Sequence, residues 1–523
     1  MAYKVCIPTA GTGSRLEGLT RHINKSLVSI NNRPSICYIL EKFPSDAKIV
    51  IALGYKGDLV REFLELAYPN RKFDYVKVEL FEGEGSGLGL SLLACEQFLQ
   101  EPFVFSSCDT LIDGVIPPPD MNWMGYADLD NPIQYRTLEI EGDLVVQIAD
   151  KNLQKNKRHK PYIGLAGIFD YEKFWSEMRQ GGSEAIQQGE SYGLKMILPD
   201  RILAKPFKWH DTGNFDALNL AKEYYRTPNE YNILEKENEA IWFIGKDVIK
   251  YSNDKGFIAN RVVRAKELGA FIPKITGTGL NMYRYEKVSG RVLSEVINLP
   301  LFSKLLEHSS EFWTTKHLNA NDRDQFKKVC AKFYRDKTYE RVDLFYKNFS
   351  KKDQEDIING IRTSTLKDML DSIDWGLLAN GSPGRFHGDF HFENIIWSES
   401  EKKFTFIDWR QDFGGILNIG DIYYDLAKLM HGLIINHEII AKDLYQVNWV
   451  NEDIKYDFNR KHILVECEKS FTYWIKKNGY DIKKVRLLTA LIFLNIAALH
   501  HYPYSLLLFG LGKSMLNDIL RLR

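Results

Sequence analysis

The chain has no hydrophobic run long enough to cross a bilayer. Its longest late apolar stretch, Leu487 to Leu499, is short and interrupted by Asn495, whereas a spanning helix takes about 20 apolar residues. Membrane insertion is not expected. The opening Met1-Ala2-Tyr3-Lys4-Val5-Cys6-Ile7 reaches a proline and a glycine-rich turn before a signal-peptide core could form, so the expected location is the cytoplasm. Cysteine is sparse: Cys6, Cys37, Cys95, Cys108, Cys330 and Cys467 form no CxxC pair and no metal-ligand spacing, which excludes a disulfide framework and predicts reduced thiols. Charge of one sign is also missing, because 69 basic residues balance 69 acidic ones. A nucleic-acid footprint is therefore disfavoured, and small molecules are the expected partners.

What is present is a soluble globular composition, 44% hydrophobic and 13% aromatic over 523 residues. At roughly 100–200 residues per domain this length predicts about three folding units. Up to about Ala221, β-rich runs (Lys4 to Ile7, Lys48 to Leu53, Phe103 to Ser107, Leu165 to Phe169) alternate with helical stretches such as Ser35 to Phe43 and Leu88 to Leu99. Such alternation predicts an α/β domain with a largely parallel sheet. The proline at 228 breaks the pattern, which sets domains at 1–228 and 229–523. Beyond it, Ile241 to Tyr251 and Leu280 to Val288 read as strands of a small lobe over about 235–290. Leu301 to Ala379 and Asp421 to Arg523 read as helices of a large lobe over about 291–523. The block Lys151 to Lys160 is the strongest charge run, a solvated loop or one that contacts phosphate.

Two constellations carry chemistry. The later one is His387-Gly388-Asp389-Phe390-His391-Phe392-Glu393-Asn394, with Asp408 ending the apolar run Phe404 to Ile407. ATP-dependent phosphorylation of a hydroxyl needs one carboxylate to accept the hydroxyl proton and two further oxygen donors to hold Mg2+ on the phosphates. Asp389 suits the first role, Asn394 and Asp408 the others. Lys250, on a strand early in the small lobe, is placed to meet the ATP phosphates; its acidic partner is open, with Glu267 the nearest candidate. His387 reads as a brace for the loop, and Asp421 and Asp425 as anchors. The aromatics Trp313, Phe333, Tyr334, Trp449, Tyr473, Trp474, His500, His501 and Tyr502 read as helix packing or as a cage for a quaternary ammonium. Trp409, next to Asp408, is better placed to lie near the acceptor.

The earlier constellation is Gly11-Thr12-Gly13-Ser14-Arg15 after a strand, expected to turn into a helix. Glycines there let backbone N–H groups approach polyphosphate, and Arg15 and Lys25 add cations; a plain strand-to-helix bend explains the glycines alone. Asp109 ends an apolar strand, where ligands bind in parallel sheets, and Asp211 follows in Trp209-His210-Asp211-Thr212-Gly213. Two such carboxylates on one Mg2+ would neutralise a triphosphate during attack at its α-phosphorus.

With Gly11-x-Gly13-x-Arg15-Leu16, Lys25 and Asn32-Arg33-Pro34 in order, the first domain resembles the nucleotidyltransferases that make nucleoside-diphosphate sugars. The resemblance implies a Rossmann-like fold, an NTP cradled by Gly11, Thr12, Gly13, Ser14 and Arg15, a phosphate contact at Lys25, and Mg2+ on Asp109 and Asp211. Glu82, Gly85 and Gly87 resemble the segment under the nucleobase, and Tyr162 to Gly167 the acceptor-binding strand. Departures are Pro8-Thr9 and Asn24 before Lys25, where the family has small apolar residues and proline. Over about 235–523 the chain resembles the aminoglycoside phosphotransferase and choline kinase group. That implies a two-lobed, protein-kinase-like α+β fold, with Asp389 as base, Asn394 and Asp408 on Mg2+, Lys250 on ATP, and Glu286 in the hinge strand under adenine.

Together these resemblances imply a bifunctional enzyme using Mg2+, ATP and a second NTP (CTP, UTP or GTP). A sugar or polyol is favoured as the metabolite, for surface-glycan synthesis; choline kinase paired with phosphocholine cytidylyltransferase, or one half acting as a regulatory binding module, are the alternatives. The sequence leaves the oligomeric state open.

Overall fold

The computed structural model describes residues 3–129, 134–150, 159–227 and 236–521. The boundary at 228 and most of the charge run, residues 151–158, lie outside the described residues. The chain divides into two compact units, Met1–Ile258 with Thr276–Glu286, and Ala259–Ile275 with Lys287–Arg523.

The first unit is built on nine strands, in spatial order Phe73–Lys77, Lys48–Leu53, Lys4–Pro8, Phe103–Ser106, His159–Ile168, Trp123–Tyr126, Leu203–Pro206, Leu144–Ala149 and Thr137–Glu141. The first four are parallel, because helices Ser35–Leu40, Gly57–Ala67 and Leu88–Cys95 supply the crossovers that parallel pairing needs. The expectation of a largely parallel sheet holds there and at one further pair, Leu203–Pro206 with Trp123–Tyr126. From Ser106 to Ile168 the chain runs through strands without a crossover helix, and His159–Ile168 pairs antiparallel with both neighbours; the sheet is mixed. Its central strands are buried on both faces. Val5, Ile7, Ile49, Ile51 and Val104 enter one apolar cluster, while Cys6, Val50, Ala52 and Phe105 enter the other, as the alternation of strand side chains requires.

A four-stranded sheet, in order Glu239–Ile244, Asp247–Ser252, Met282–Glu286 and Ile275–Thr278, covers the sequence expected as the small lobe of the second domain. Strands Glu239–Ile244, Asp247–Ser252 and Met282–Glu286 instead form one compact unit with the N-terminal residues. Trp242, Ile244, Ile249, Tyr251 and Met282 join the apolar cluster of Val5 and Ile7. The Trp242 indole donates to Ser29 Oγ at 2.9 Å, the Tyr251 hydroxyl donates to the His22 carbonyl at 2.6 Å, and the Asn281 N–H donates to Glu62 at 2.8 Å.

The second unit is mostly helical, with long helices at Leu299–Phe312, Ile422–Ile434, His462–Lys477, Ile482–Ala497 and Tyr504–Arg521. The segment from Asp421 onward is not all helix as expected. It contains a hairpin, Tyr445–Val450 paired with Asp453–Phe458, which turns at Asn451 with φ 52°. Within it Tyr445, Val447 and Trp449 alternate with more exposed residues, a period of two that marks a half-buried strand.

Candidate active sites

In the first unit the glycine turn is tightened by packing. Gly13 has φ 70°, and a Cβ there would stand 2.8 Å from Lys25 Cβ. The expected helix after it is a short 3-10 segment, Ser14–Thr20, broken at Glu17 with φ 48°. Cationic side chains, not a helix terminus, therefore supply the positive charge. Asn24, where the resembling family has proline, fixes the next turn: its amide donates to the carbonyls of Thr9 (2.9 Å) and Tyr55 (2.6 Å), and its oxygen accepts from the Ser26 N–H (2.9 Å).

That turn delivers Lys25, whose Nζ donates to Asp109 Oδ2 at 3.0 Å. Asp109 also accepts from the Ser107 hydroxyl. Burial pushes this carboxyl up, but Lys25, Ser107 and Arg15 together hold it at about 2. Asp211 is raised instead, by burial and by its proximity to Asp109, although it accepts from the Gly213 N–H (2.8 Å) and the Tyr135 hydroxyl (2.9 Å). A Cβ on Gly213 would fall 3.0 Å from Asp211 Oδ1, 3.2 Å from Asp109 Oδ2 and 3.3 Å from Arg15 Nη2, so glycine lets these three groups converge. Two neighbouring carboxylates with repelling charges are hard oxygen donors, and the set fits Mg2+. Among the described residues no three His, Cys, Asp or Glu side chains cluster, so water and phosphate oxygens would complete the coordination.

A cavity of about 370 Å3 opens over this pair, lined by Gly11, Arg15, Lys25, Gly87, Asp109 and Asp211 among others. Thr12, Gly13, Ser14, Glu82 and Gly85 do not line it; Glu82 and Gly85 are exposed on the loop before Gly87. Gly87 and Gly89 permit a close crossing, because a Cβ would meet the carbonyls of Ile186 and Ala185 at 2.2 and 2.0 Å. Sequence reasoning missed Tyr135, Arg136 and Glu190, which line the same cavity. Glu190 is 4% exposed, and burial, opposed by Arg136, brings it to about 7.

Lys250 is 6% exposed on strand Asp247–Ser252, opposite Tyr283 in register. Glu286 ends its strand at the surface, 3.8 Å from Lys246.

In the second unit the motif loop is held from behind. Asp425, fully buried, accepts the N–H groups of His387 (2.6 Å) and Gly388 (2.7 Å) and the Trp313 indole (3.1 Å). Asp421 caps helix Ile422–Ile434 and accepts from Ser382 N–H (2.8 Å) and Tyr334 (2.7 Å). The His387 ring donates from Nε2 to the Ile407 carbonyl (2.9 Å) and accepts the Asp389 N–H at Nδ1 (3.2 Å), a neutral brace whose buried ring stays down at about 3.

Asp389 contacts Lys428 at 2.9 Å and His391 at 3.5 Å. Burial would raise it, but Lys428, with His391, holds it well below the carboxylate range. The Asn394 amide donates to Asp389 O (2.9 Å) and Oδ2 (3.3 Å), so its oxygen is the atom of this side chain suited to a metal. Asp408, at φ 59°, pairs with Arg261 at 2.6 Å. Arg264 on the same helix donates to the carbonyls of Leu417, Arg410 and Phe386. Glu267 pairs with Lys316 at 3.2 Å.

Trp409, expected near the acceptor, is 1% exposed and donates to the Arg261 carbonyl. Among the expected cage aromatics, Trp313 packs on Phe390 and Trp474, and Phe333 on Phe413 and Tyr424; these are packing contacts.

Residues 334–442 match the model of the phosphotransferase enzyme family, a span that includes Asp389, Asn394 and Asp408. Over 175 residues the chain is 24% identical to the bifunctional protein GlmU of Methanococcus vannielii, covering 32% of this chain and 41% of that protein. Over 152 residues it is 22% identical to the D-glycero-α-D-manno-heptose 1-phosphate guanylyltransferase of Campylobacter jejuni, covering 28% of this chain and 67% of that protein. The solved CTP:phosphocholine cytidylyltransferase of Streptococcus pneumoniae superposes over 43% of this chain and 100% of its own, at 16% identity and a TM-score of 0.37. The chain spans about half or less of the length of the first curated relatives it matches, 41% and 53%. The chain is a fusion in which a region related to sugar-phosphate nucleotidyltransferases precedes a domain of the phosphotransferase enzyme family.

Proposed function

We propose that the two sites catalyse consecutive steps. In the second unit an alcohol oxygen attacks the γ-phosphorus of ATP, the bond to the β-phosphate oxygen breaks and ADP leaves. Asp389 orients the hydroxyl and receives its proton. Its carboxylate stays ionised beside Lys428, which suits a base that takes the proton late. Asn394 and Asp408 would hold Mg2+. Mg2+ supplies charge neutralisation on the polyphosphate.

In the first unit the new phosphate monoester attacks the α-phosphorus of a second NTP and pyrophosphate leaves, giving NDP-X. Arg15 and Lys25 neutralise the phosphates, the backbone at Gly11 and Gly87 admits the nucleotide closely, and Asp109 and Asp211 would hold Mg2+. X is a sugar or polyol for surface-glycan synthesis. One chain keeps the second site near the first product, at an effective concentration that can reach about mM. The observation that carries this reading is the convergence of Arg15, Lys25, Asp109 and Asp211 on one cavity, in a chain whose other unit holds Asp389 and Asn394 in contact.

The test is mass spectrometry of the purified protein with Mg2+, ATP, CTP, UTP and GTP against sugars, polyols, amino-alcohols and their phosphates. A matched X-phosphate and NDP-X is expected. X-phosphate alone, with no NDP-X from any pre-phosphorylated compound, would refute the consecutive scheme.

A further inference from the structure

The surroundings of Asp389 are basic. Lys428 Nζ stands 2.9 Å from its Oδ1, with 13% of the lysine side chain exposed. Arg410 lies against the preceding glycine: a Cβ on Gly388 would fall 2.5 Å from Arg410 Cβ and 3.0 Å from its Cδ. The Arg410 guanidinium sits 5.1 Å over the Phe333 ring and Lys337 Nζ sits 4.7 Å over it. That ring meets Tyr424 edge-on at 5.0 Å. Burial pushes the Tyr424 hydroxyl up, yet Lys337, Lys428 and Arg410 together bring it down, so the three cations share one neighbourhood.

Two imidazoles lie in the same neighbourhood. His391 Nε2 is 3.5 Å from Asp389 Oδ2, and both ring nitrogens of His431, one turn along the helix from Lys428, are buried without a hydrogen-bond partner. Arg410 spends its Nε on the Asp412 main-chain carbonyl at 3.0 Å. Among the described residues neither Arg410 nor Lys337 has a carboxylate within ion-pairing distance. Half-buried cations without counter-charges are unfavourable, and a bound anion relieves them.

We propose that the alcohol phosphorylated at Asp389 carries an anionic group close to its hydroxyl, and that Lys428, Arg410 and Lys337 recognise that group. The inference rests on the kinase reading above and names its substrate class: an acidic sugar or polyol. A quaternary ammonium or amino-sugar acceptor would place its cation beside Lys428 and be repelled. The anion takes no part in bond making; it fixes the acceptor so that its hydroxyl meets Asp389.

The experiment measures initial phosphorylation rates by the full chain with Mg2+ and ATP on matched acceptors: gluconate, glucose and glucosamine; glycerate, glycerol and serinol; glycerol 3-phosphate; and choline. The acids or the phosphate should exceed their neutral counterparts at least tenfold in kcat/KM, with the amines lowest. The double variant Arg410→Glu, Lys337→Glu should raise the KM for the acid at least tenfold and leave the KM for ATP unchanged. Arg410→Gln, the milder change, should give an intermediate KM. An amine ahead of its acid twin, or an acid KM unmoved by charge reversal, overturns the proposal while the kinase reading stands. No acceptor phosphorylated, together with no Asp389-dependent consumption of ATP, overturns both.

Discussion

Replacing Lys25 by alanine strips a buried carboxylate of its main counter-charge. In the intact protein burial pushes Asp109 up, yet Lys25 at 3.0 Å, with Ser107 and Arg15, holds it at about 2. Against an ordinary aspartate near 3.9, that displacement favours the folded carboxylate by about 2–3 kcal/mol. Because the folded value lies below the unfolded one, this stabilisation is present above about pH 4 and is lost as the pH falls through about 2. The pair is little screened, with 19% and 17% of the two side chains exposed. Without Lys25, burial prevails and Asp109 titrates at or above its ordinary value, so the proposed metal ligand is partly protonated in mildly acidic buffer. Lys25 is also a proposed phosphate contact, and loss of one such donor typically costs about 10²–10³ in rate. Pyrophosphate release by Lys25→Ala should therefore fall by about that factor at pH 7.5 and further at pH 5.5, where the parent changes little. A variant within threefold of the parent, or one with the parent's pH profile, would refute the reasoning.

Two further outcomes concern the first unit. Burial raises Glu190 to about 7, above its ordinary value near 4.3. Its stabilisation is thus full below about pH 4 and is lost as the pH rises through 7, by about 3–4 kcal/mol; Glu190→Gln should flatten the unfolding temperature between pH 5 and 8, and a persisting slope of the same size would rule out Glu190 as its source. Trp242→Ala, at a fully buried position, should destabilise the first unit by about 3–5 kcal/mol. Denaturant unfolding followed by proteolysis checks this: protection lost only within residues 287–523 would show that the Trp242 strand does not belong with the N-terminal residues.

Much of the first site was legible because its residues sit at the ends of strongly patterned strands. Asp109 follows the apolar run Phe103–Ser106, and Gly11 follows Lys4–Pro8. The residues that escaped notice lie far away in sequence on elements without a motif: Arg136 comes just before strand Thr137–Glu141 and Glu190 opens helix Glu190–Met196, and only the cavity brings them to Asp109. The antiparallel pairing of His159–Ile168 depends on the lack of a crossover helix before it, which strand periodicity does not encode. The company of strands Glu239–Ile244 and Asp247–Ser252 was hidden for a related reason. Trp242 and Tyr251 announce a buried face, but not which neighbour covers it. In the second unit the HGDF run located Asp389 and Asn394, whereas Lys428 contacts Asp389 from a helix 39 positions on by the sequence numbers.

The central claim, two separate phosphate-transfer sites on one chain, is tested most directly by assaying Asp389→Asn and Asp109→Ala for both reactions. Asp389→Asn should lose phosphorylation of the alcohol and keep NDP-X formation from pre-formed X-phosphate; Asp109→Ala should show the converse. Loss of both reactions in either folded variant, or survival of phosphorylation in Asp389→Asn, would contradict the account.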